Sequence, residues 1–260
     1  MEPSSDPVLS CPVCRHAAGR YAIAVDRFDI HKCGECGLEY THPMPSDQEL
    51  SAFYSTYHDV RARPEIVRRN AERNLERLAD FGLHDDSRIL DFGAGSGAFV
   101  SAAGERCYGL ELGAPTQSRI FADVGQLPLN RFDFITLWGV LEHLNDPLGT
   151  LRTLVPTLND GGKLVITTVD AEGIIPYYYK PVEHLTYWTQ NAFQRLFEQC
   201  GLRAVHSQPY TMVQASDVYL DRLLSRTPEQ YRPCFAGTLD SLPDLVEVPT
   251  NEILVIAEKA

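Results

Sequence analysis

Ile89-Leu90-Asp91-Phe92-Gly93-Ala94-Gly95-Ser96-Gly97-Ala98-Phe99-Val100 joins an apolar run of strand length to a glycine-rich turn and then to a helix pattern. Such a turn lets the backbone approach a ligand closely and places the amides of a helix N-terminus beside it. Asp91 stands two residues before the first glycine, inside the predicted strand. A carboxylate there would repel a diphosphate, whereas it would attract a ligand that carries an ammonium or a sulfonium group.

Apolar runs of strand length alternate with helical stretches downstream of residue 88. The predicted strands are 88–92, 108–112, 132–136, 163–169 and 252–257. This alternation predicts βαβ units and a largely parallel sheet, so the fold class is α/β. Two helices are predicted upstream, at 46–57 and 64–81, from apolar residues at helical spacing.

Four cysteines near the N-terminus have the spacing C-x2-C-x18-C-x2-C. They are Cys11, Cys14, Cys33 and Cys36. Four thiolates from two tight turns can complete a tetrahedral shell around zinc at about 2.3 Å. A shell of four cysteines leaves no open position, so the expected zinc is structural. An iron centre and a module that also touches the substrate are the alternatives. Two short strands are predicted between the cysteine pairs, at 21–25 and 28–32, and 41–45 is interpreted as a linker.

The composition is that of a globular, acidic protein. Of 260 residues, 44% are hydrophobic and 22% are charged, and the formal net charge is −12. Binding to nucleic acid or to an anionic membrane usually needs a basic face, so both partners are disfavoured. No apolar run approaches the roughly 20 residues of a membrane span, and no secretory leader is recognised. We therefore expect a cytoplasmic protein whose thiols stay reduced.

The glycine turn is compatible with two cofactor classes. Gly93-x-Gly95-x-x-Ala98, with Glu111 18 residues after Gly93, fits a dinucleotide-binding pattern and would indicate a nicotinamide-dependent oxidoreductase. Asp91 and the additional Gly97 fit the pattern D-x-G-x-G-x-G better.

Five segments, in order over residues 88–260, resemble the class I methyltransferases that use S-adenosylmethionine. They are the loop Asp91–Gly97, Tyr108–Leu112, Ala122–Val124, Phe132–Ile135 with Val140–Pro147, and Gly161–Thr167. The resemblance implies a Rossmann-like, seven-stranded, mostly parallel sheet with helices on both faces, preceded by the zinc ribbon. It also implies that Glu111 binds the ribose hydroxyls, that Leu112 lies beside the adenine, and that Asp123 accepts the adenine amino group. The implied cofactor-binding residues are Asp91, Gly93, Ala94, Gly95, Gly97, Glu111, Leu112, Asp123, Val124, Trp138 and Tyr57.

Residues 183–189, followed by 193–200, are similar to a subfamily that methylates small molecules and in which a cysteine-rich ribbon often precedes the helices. His143 and His184 are the candidate general bases, because a neutral imidazole titrates near working pH, and Tyr187 is a further candidate catalytic residue. Glu142-His143 resembles the metal pair of some quinone O-methyltransferases. Val140 and Leu141 interrupt the acidic run that those enzymes have, so no catalytic metal is predicted.

The predicted organisation is a zinc-ribbon module at 1–45, a helical connector and cofactor cover at 46–87, and a cofactor-binding domain at 88–260. Residues 209–248 are expected to form an acceptor-side insertion. The expected function is transfer of a methyl group from S-adenosylmethionine to a small molecule in secondary-metabolite or sugar metabolism. The alternatives are an RNA base methyltransferase, the oxidoreductase, and a non-catalytic interaction module. The last is kept because only eleven residues separate Glu111 from Asp123, too few for a full helix and a strand.

Overall fold

The computed structural model describes residues 10–16, 19–56, 63–111, 117–175, 177, 179–235 and 237–259. The strands are β1 (Gly19–Val25), β2 (Phe28–Cys33), β3 (Glu39–His42), β4 (Ile89–Phe92), β5 (Cys107–Leu110), β6 (Ile120–Phe121), β7 (Phe132–Trp138), β8 (Leu158–Val169), β9 (Thr186–Tyr187), β10 (Leu202–Ala215) and β11 (Leu245–Lys259). The α-helices are α1 (Asp47–Thr56), α2 (Pro64–Ala79), α3 (Ala98–Ala103), α4 (Pro147–Leu154), α5 (Gln190–Glu198), α6 (Ser216–Arg226) and α7 (Thr238–Ser241).

Seven strands form the main sheet, in the order β10-β11-β8-β7-β4-β5-β6. The pairs from β8 to β6 are parallel, whereas β11 is antiparallel to both of its neighbours. The predicted α/β fold with a seven-stranded, mostly parallel sheet is confirmed. The third strand in chain order within this sheet, β6, has only two residues, in agreement with the short interval between Glu111 and Asp123.

Helices cover both faces of this sheet, as predicted. Alternate residues of one strand point to opposite faces, so Leu164 and Ile166 of β8 pack in one apolar cluster and Val165 packs in the other. The first cluster includes α4 and α5, and the second includes α2 and α3. The central strands are therefore buried on both sides, which is why they appear in the sequence as continuous apolar runs.

A second, antiparallel sheet contains the ribbon, a name we use for the described residues 10–16 and 19–42. Its order is β1-β2-β3-β9, so three ribbon strands pair with one strand from the far end of the chain. β1 and β2 were predicted from the sequence, whereas β3, part of which was assigned to a linker, and β9 were not. The cysteines Cys11, Cys33 and Cys36 are buried against the same core cluster as α5.

The last two strands of the main sheet extend past its edge. The pairs from Thr211–Pro249 to Ala215–Leu245 lie beyond the end of β8, and this extended hairpin carries α6 and α7. Asn70 of α2 is bonded to Val213 in both directions, at 3.0 and 2.8 Å, so α2 is fixed against the hairpin. Among the described helices, none is both long and apolar enough to cross a membrane.

Candidate active site

The glycine turn after β4 is held in place by the neighbouring strand β5. The amides of Gly93 and Ala94 donate to the carbonyl oxygen of Leu110, at 2.8 and 3.0 Å. The amide of Gly95 donates to Oε2 of Glu111 at 2.7 Å. The turn is closely packed, because a Cβ on Gly97 would lie 2.3 Å from Nε2 of Gln117 and 2.7 Å from Cδ1 of Ile120. Gly97 also has a φ of +76°, where side chains are strained.

Asp91 is a buried carboxyl at the end of β4. Its side chain is 3% exposed and accepts a hydrogen bond from Oγ1 of Thr136 at 2.7 Å. Burial raises the pKa of Asp91 to about 7. A cation that reaches this carboxyl would stabilise its ionised form, so the environment of Asp91 fits a positively charged ligand.

A cleft of about 1310 Å³ opens at this edge of the sheet. Its floor is formed by the ends of β4, β7 and β8 and by the early residues of β11, which reach the same edge because β11 runs in the opposite direction. Helices α2 and α6 form the walls. Nε1 of Trp138, at the end of β7, is buried without a hydrogen-bond partner among the described residues. Ligand pockets commonly measure about 300–1,000 Å³, so the cleft has room for two molecules side by side.

Four predicted cofactor residues remain, and the structure describes two of them, Asp123 and Val124. Asp123 is exposed, and its Oδ1 accepts a hydrogen bond from the amide of Gly125 at 2.7 Å at the start of a short helical turn. Val124 is half-buried against the core. Leu112 and Tyr57 lie outside the described residues.

His143 and His184 lie next to each other, although they belong to different segments of the chain. Their ring centroids are 5.1 Å apart. Nδ1 of His143 is bonded to the carbonyl oxygen of Glu183 and lies 2.9 Å from the hydroxyl of Tyr54. Nδ1 of His184 is buried without a hydrogen-bond partner in the described part of the chain.

Both imidazoles are neutral at pH 7. Burial lowers the pKa of His143, and burial together with the nearby His143 lowers the pKa of His184 to about 3. A carboxylate lies close to each ring: Glu142 is 3.9 Å from Nε2 of His143, and Glu183 is 3.8 Å from Nε2 of His184. These carboxylates would stabilise positive charge on a ring that takes up a proton.

Buried and half-buried acidic residues complete this part of the site. Glu142 is 3% exposed and accepts a hydrogen bond from Oγ1 of Thr168 at 2.7 Å. Burial raises its pKa to about 7, and it raises that of Glu252 on β11 to about 8. Glu183, Lys180 and Glu252 line the cleft directly. No local motif marks Glu252, because only the antiparallel pairing of β11 brings it to this edge.

Glu142, His143 and His184 together have the composition of a cation site. Each offers a ligand atom, and these atoms lie within 4.8 Å of one another. In the sequence only Glu142 and His143 form a recognisable pair, because His184 is distant from them along the chain.

Tyr187 is fully buried. Its hydroxyl accepts a hydrogen bond from the amide of Lys180 at 2.8 Å and donates one to the carbonyl oxygen of His184 at 3.3 Å. It thus contacts the turn that carries His184 and is absent from the residues that line the cleft.

The four cysteines of the ribbon converge. Sγ of Cys11 lies 3.7 Å from that of Cys36, and Sγ of Cys14 lies 3.5 Å from that of Cys33. All four sulfur atoms lie within 4.8 Å of one another. Two thiolates on a tetrahedral zinc at about 2.3 Å would be roughly 3.8 Å apart, so the donor set and its spacing fit a closed zinc site.

Comparison with known proteins identifies a family for this chain and solved structures with a similar fold. The profile of a family described as a methyltransferase domain matches residues 63–207, which is more than half of the chain. A Burkholderia thailandensis structure, 1,6-didemethyltoxoflavin-N1-methyltransferase with bound 1,6-didemethyltoxoflavin and S-adenosylhomocysteine, is 19% identical, with a TM-score of 0.52. The similarity covers 92% of this chain and 99% of that one. The [4+2]-cyclase SpnF is 18% identical with the same TM-score, over 84% of this chain and 98% of its own. At these identities the likeness concerns the fold.

One curated relative matches over a short segment. A tRNA U34 carboxymethyltransferase from Aliarcobacter butzleri is 46% identical over 44 residues. This segment is 17% of the present chain and spans only 14% of the relative.

Proposed function

The chain belongs to the methyltransferase-domain family, and we propose that it transfers the methyl group of S-adenosylmethionine to a small-molecule acceptor, such as a secondary metabolite or a sugar. The observation that carries this proposal is the buried carboxyl of Asp91 at the floor of a cleft large enough for a cofactor and a second molecule. S-adenosylmethionine carries an ammonium and a sulfonium group, and a carboxyl whose pKa is raised by burial gains from a cationic neighbour.

The cofactor would occupy the edge of the sheet around the glycine turn. Asp91, Gly93 and Ala94 line the cleft there, and the buried Nε1 of Trp138 would donate a hydrogen bond to a ligand atom. We propose that Gly95 and Gly97 of the turn also contact the cofactor and that Glu111, which holds the amide of Gly95, binds its ribose hydroxyls. Asp123, Val124, Leu112 and Tyr57 stay proposed contacts on the adenine side and the cover.

The acceptor would lie at the other end of the cleft floor, near Glu183 and Glu252. Bound S-adenosylmethionine supplies an already activated methyl group, so the protein mainly orients the acceptor and receives its proton. We propose His184 as the base, with His143 as its neighbour. Burial lowers the pKa of both rings, and Nδ1 of His184 has no hydrogen-bond partner among the described residues.

We further propose that Cys11, Cys14, Cys33 and Cys36 hold a structural zinc ion. The spacing of their sulfur atoms supports a closed tetrahedral shell. Such an ion stabilises the fold of the ribbon and leaves no coordination position for chemistry.

Methylation of RNA is the second candidate. The short segment that is 46% identical to a tRNA-modifying enzyme favours it. The net charge of −12 opposes it, because binding to the phosphate backbone depends on positive charge.

Calorimetric titration with S-adenosylmethionine and S-adenosylhomocysteine, with NAD as a control ligand, tests the proposed function. We expect micromolar dissociation constants for both sulfur compounds, equivalent to about −8 kcal/mol, and no heat with NAD. His184→Gln should bind both compounds as the unaltered protein does, since His184 lies on the acceptor side. Binding of NAD, or no binding of either sulfur compound by folded protein, would contradict the proposal.

A further inference from the structure

β3 of the ribbon pairs with β9, a strand that follows the cleft-lining residues Lys180 and Glu183 in the chain. The register of this pairing is Glu39–Tyr187 and Tyr40–Thr186. The amide of Thr41 donates to the carbonyl oxygen of Leu185 at 2.9 Å, and its hydroxyl lies 3.4 Å from the carbonyl oxygen of His184. The backbone that follows His184 is therefore bonded to the ribbon.

The side chain of Glu39 links the ribbon to two tyrosines. Its side chain is 6% exposed, and one carboxylate oxygen accepts hydrogen bonds from the hydroxyls of Tyr177 and Tyr179, at 2.6 and 2.8 Å. The other oxygen accepts from Nζ of Lys32 at 2.9 Å. Burial acts to raise the pKa of Glu39, but these hydrogen bonds outweigh it and hold the pKa below its usual value. Glu39 is thus an ionised, fully bonded anchor.

The two anchored tyrosines enclose a third one. The ring of Tyr177 stacks on that of Tyr187 at 5.4 Å, and Tyr179 meets Tyr187 edge-on at 4.9 Å. The hydroxyl of Tyr187 is bonded to both ends of the turn from Lys180 to His184. The turn is also closed by the amide of His184, which donates to the carbonyl oxygen of Lys180 at 2.7 Å.

The cysteine turns are attached to the same region of the chain. Oγ1 of Thr189 donates to the carbonyl oxygen of Cys36 at 2.8 Å. Nδ2 of Asn191 donates to that of Glu35 at 2.9 Å, and Nε2 of Gln199 donates to that of Val13 at 2.9 Å. The segment from β9 through α5 is therefore joined to the ribbon at both of its cysteine pairs.

We propose that the ribbon is a brace for the acceptor side of the cleft and that Glu39 is a positioning residue, which acts through Tyr177, Tyr179 and Tyr187 to hold the turn that presents His184. The brace proposal rests on the proposed function only because it assumes that this turn belongs to the acceptor side. The hydrogen bonds of the cofactor turn after β4 run to Leu110, Glu111 and Gln117 in the described part of the chain, so this turn lies outside the brace.

Hydrogen exchange and histidine NMR test this role without any acceptor. In Glu39→Ala, we expect the amides of residues 179–188 to exchange at least tenfold faster, while those of residues 91–100 exchange as before. Glu39→Gln retains an acceptor oxygen, so its exchange rates at residues 179–188 should lie between those of the unaltered protein and those of Glu39→Ala. Glu35→Gln is the matched control: Glu35 also belongs to the ribbon and pairs with Arg195 at 2.9 Å, but it does not contact the turn.

The titration of His184 supplies a signature that loss of stability alone would not give. His143, Lys180, Glu183 and Tyr187 surround its ring. In the unaltered protein His184 should stay neutral down to about pH 4, because burial lowers its pKa to about 3. Release of the turn in Glu39→Ala should move this pKa towards the ordinary value of about 6.5.

One combination of results in Glu39→Ala would overturn the brace. It is unchanged exchange at residues 179–188 together with unchanged titration of His184 in the folded variant. If that variant fails to fold, Tyr177→Phe combined with Tyr179→Phe removes the same hydrogen bonds from the other side, and the same two measurements decide. Affinity for S-adenosylmethionine, measured in parallel, tests the proposed function separately, because neither exchange nor NMR needs a bound cofactor.

Discussion

Asp91 combines a cost to folding with a proposed role in binding. Its pKa is raised from the ordinary value of 3.8 to about 7 by burial, so its ionised form is less stable in the folded chain than in the unfolded one. The contribution of this group to folding stability is fully present below pH 3.8 and is lost as the pH rises to about 7. A cationic ligand would reverse the preference of Asp91 for its protonated form, because it stabilises the carboxylate.

We therefore expect the affinity for S-adenosylmethionine to rise about eightfold between pH 6.0 and 7.5, as Asp91 in the free protein changes from about one-tenth to three-quarters ionised. The sulfonium group of the ligand does not titrate, so its charge stays constant over this range. Calorimetry in buffers of different ionisation enthalpy should also detect proton release on binding.

Asp91→Asn is the control for this prediction. It keeps an acceptor for the hydroxyl of Thr136. It should unfold at the same or a higher denaturant concentration than the unaltered protein at pH 8, and yet bind the cofactor weakly and without pH dependence. An affinity that is flat with pH in the unaltered protein would show that Asp91 does not face the cation.

Among the elements, those with local sequence signals were predicted well. Helix α1 begins at Asp47 after a capping box, in which Ser46 and Glu49 bond to each other's amides at 2.9 and 3.3 Å, and the spacing of these two residues is visible in the sequence. β3 and β9 were missed because strands of four and two residues show no periodicity, and their pairing joins residues more than 140 positions apart. The same reason hides the contact between His143 and His184: each was selected alone, and only the fold brings them together.

The ribbon gives a prediction at the scale of elements. We expect one zinc ion per chain by elemental analysis, lost in Cys14→Ser and after prolonged chelation. Because a closed zinc site contributes directly to folding, metal loss should abolish hydrogen-exchange protection in β1, β2 and β3 and lower the melting temperature.

Cys234→Ser is the matched control, because Cys234 is exposed and lies outside the ribbon. Protection of β1–β3 that persists in metal-free protein would contradict the prediction. A second equivalent of metal, abolished by His184→Gln, would place an ion at Glu142, His143 and His184 and would exclude His184 as a free base.

At the scale of the whole molecule, the distribution of charge favours a small acceptor over RNA. The basic concentration of the chain lies on α2, but acidic partners neutralise most of it. The ion pairs are Arg63–Asp217, Arg68–Glu72, Arg73–Glu76, Arg73–Glu247 and Arg77–Glu247. The cleft lining carries charges of both signs, because Lys180 lies with Glu183 at the proposed acceptor end and Arg222 and Arg226 of α6 lie on a wall. The net charge of −12 and the paired arginines of α2 therefore oppose binding of a phosphate backbone.

We therefore expect no retention on heparin, and no binding of a tRNA anticodon stem-loop containing U34, at 150 mM salt. Even a weak contact to several phosphates would show itself by affinity that falls steeply with salt concentration. Arg68→Glu, which changes an exposed and already paired arginine, should leave both results unchanged. Micromolar or tighter binding of the stem-loop with a steep salt dependence, weakened by Arg68→Glu, would overturn the small-molecule assignment. The short segment shared with the tRNA-modifying relative would then indicate the substrate class, with the base in the cleft and the backbone on α2.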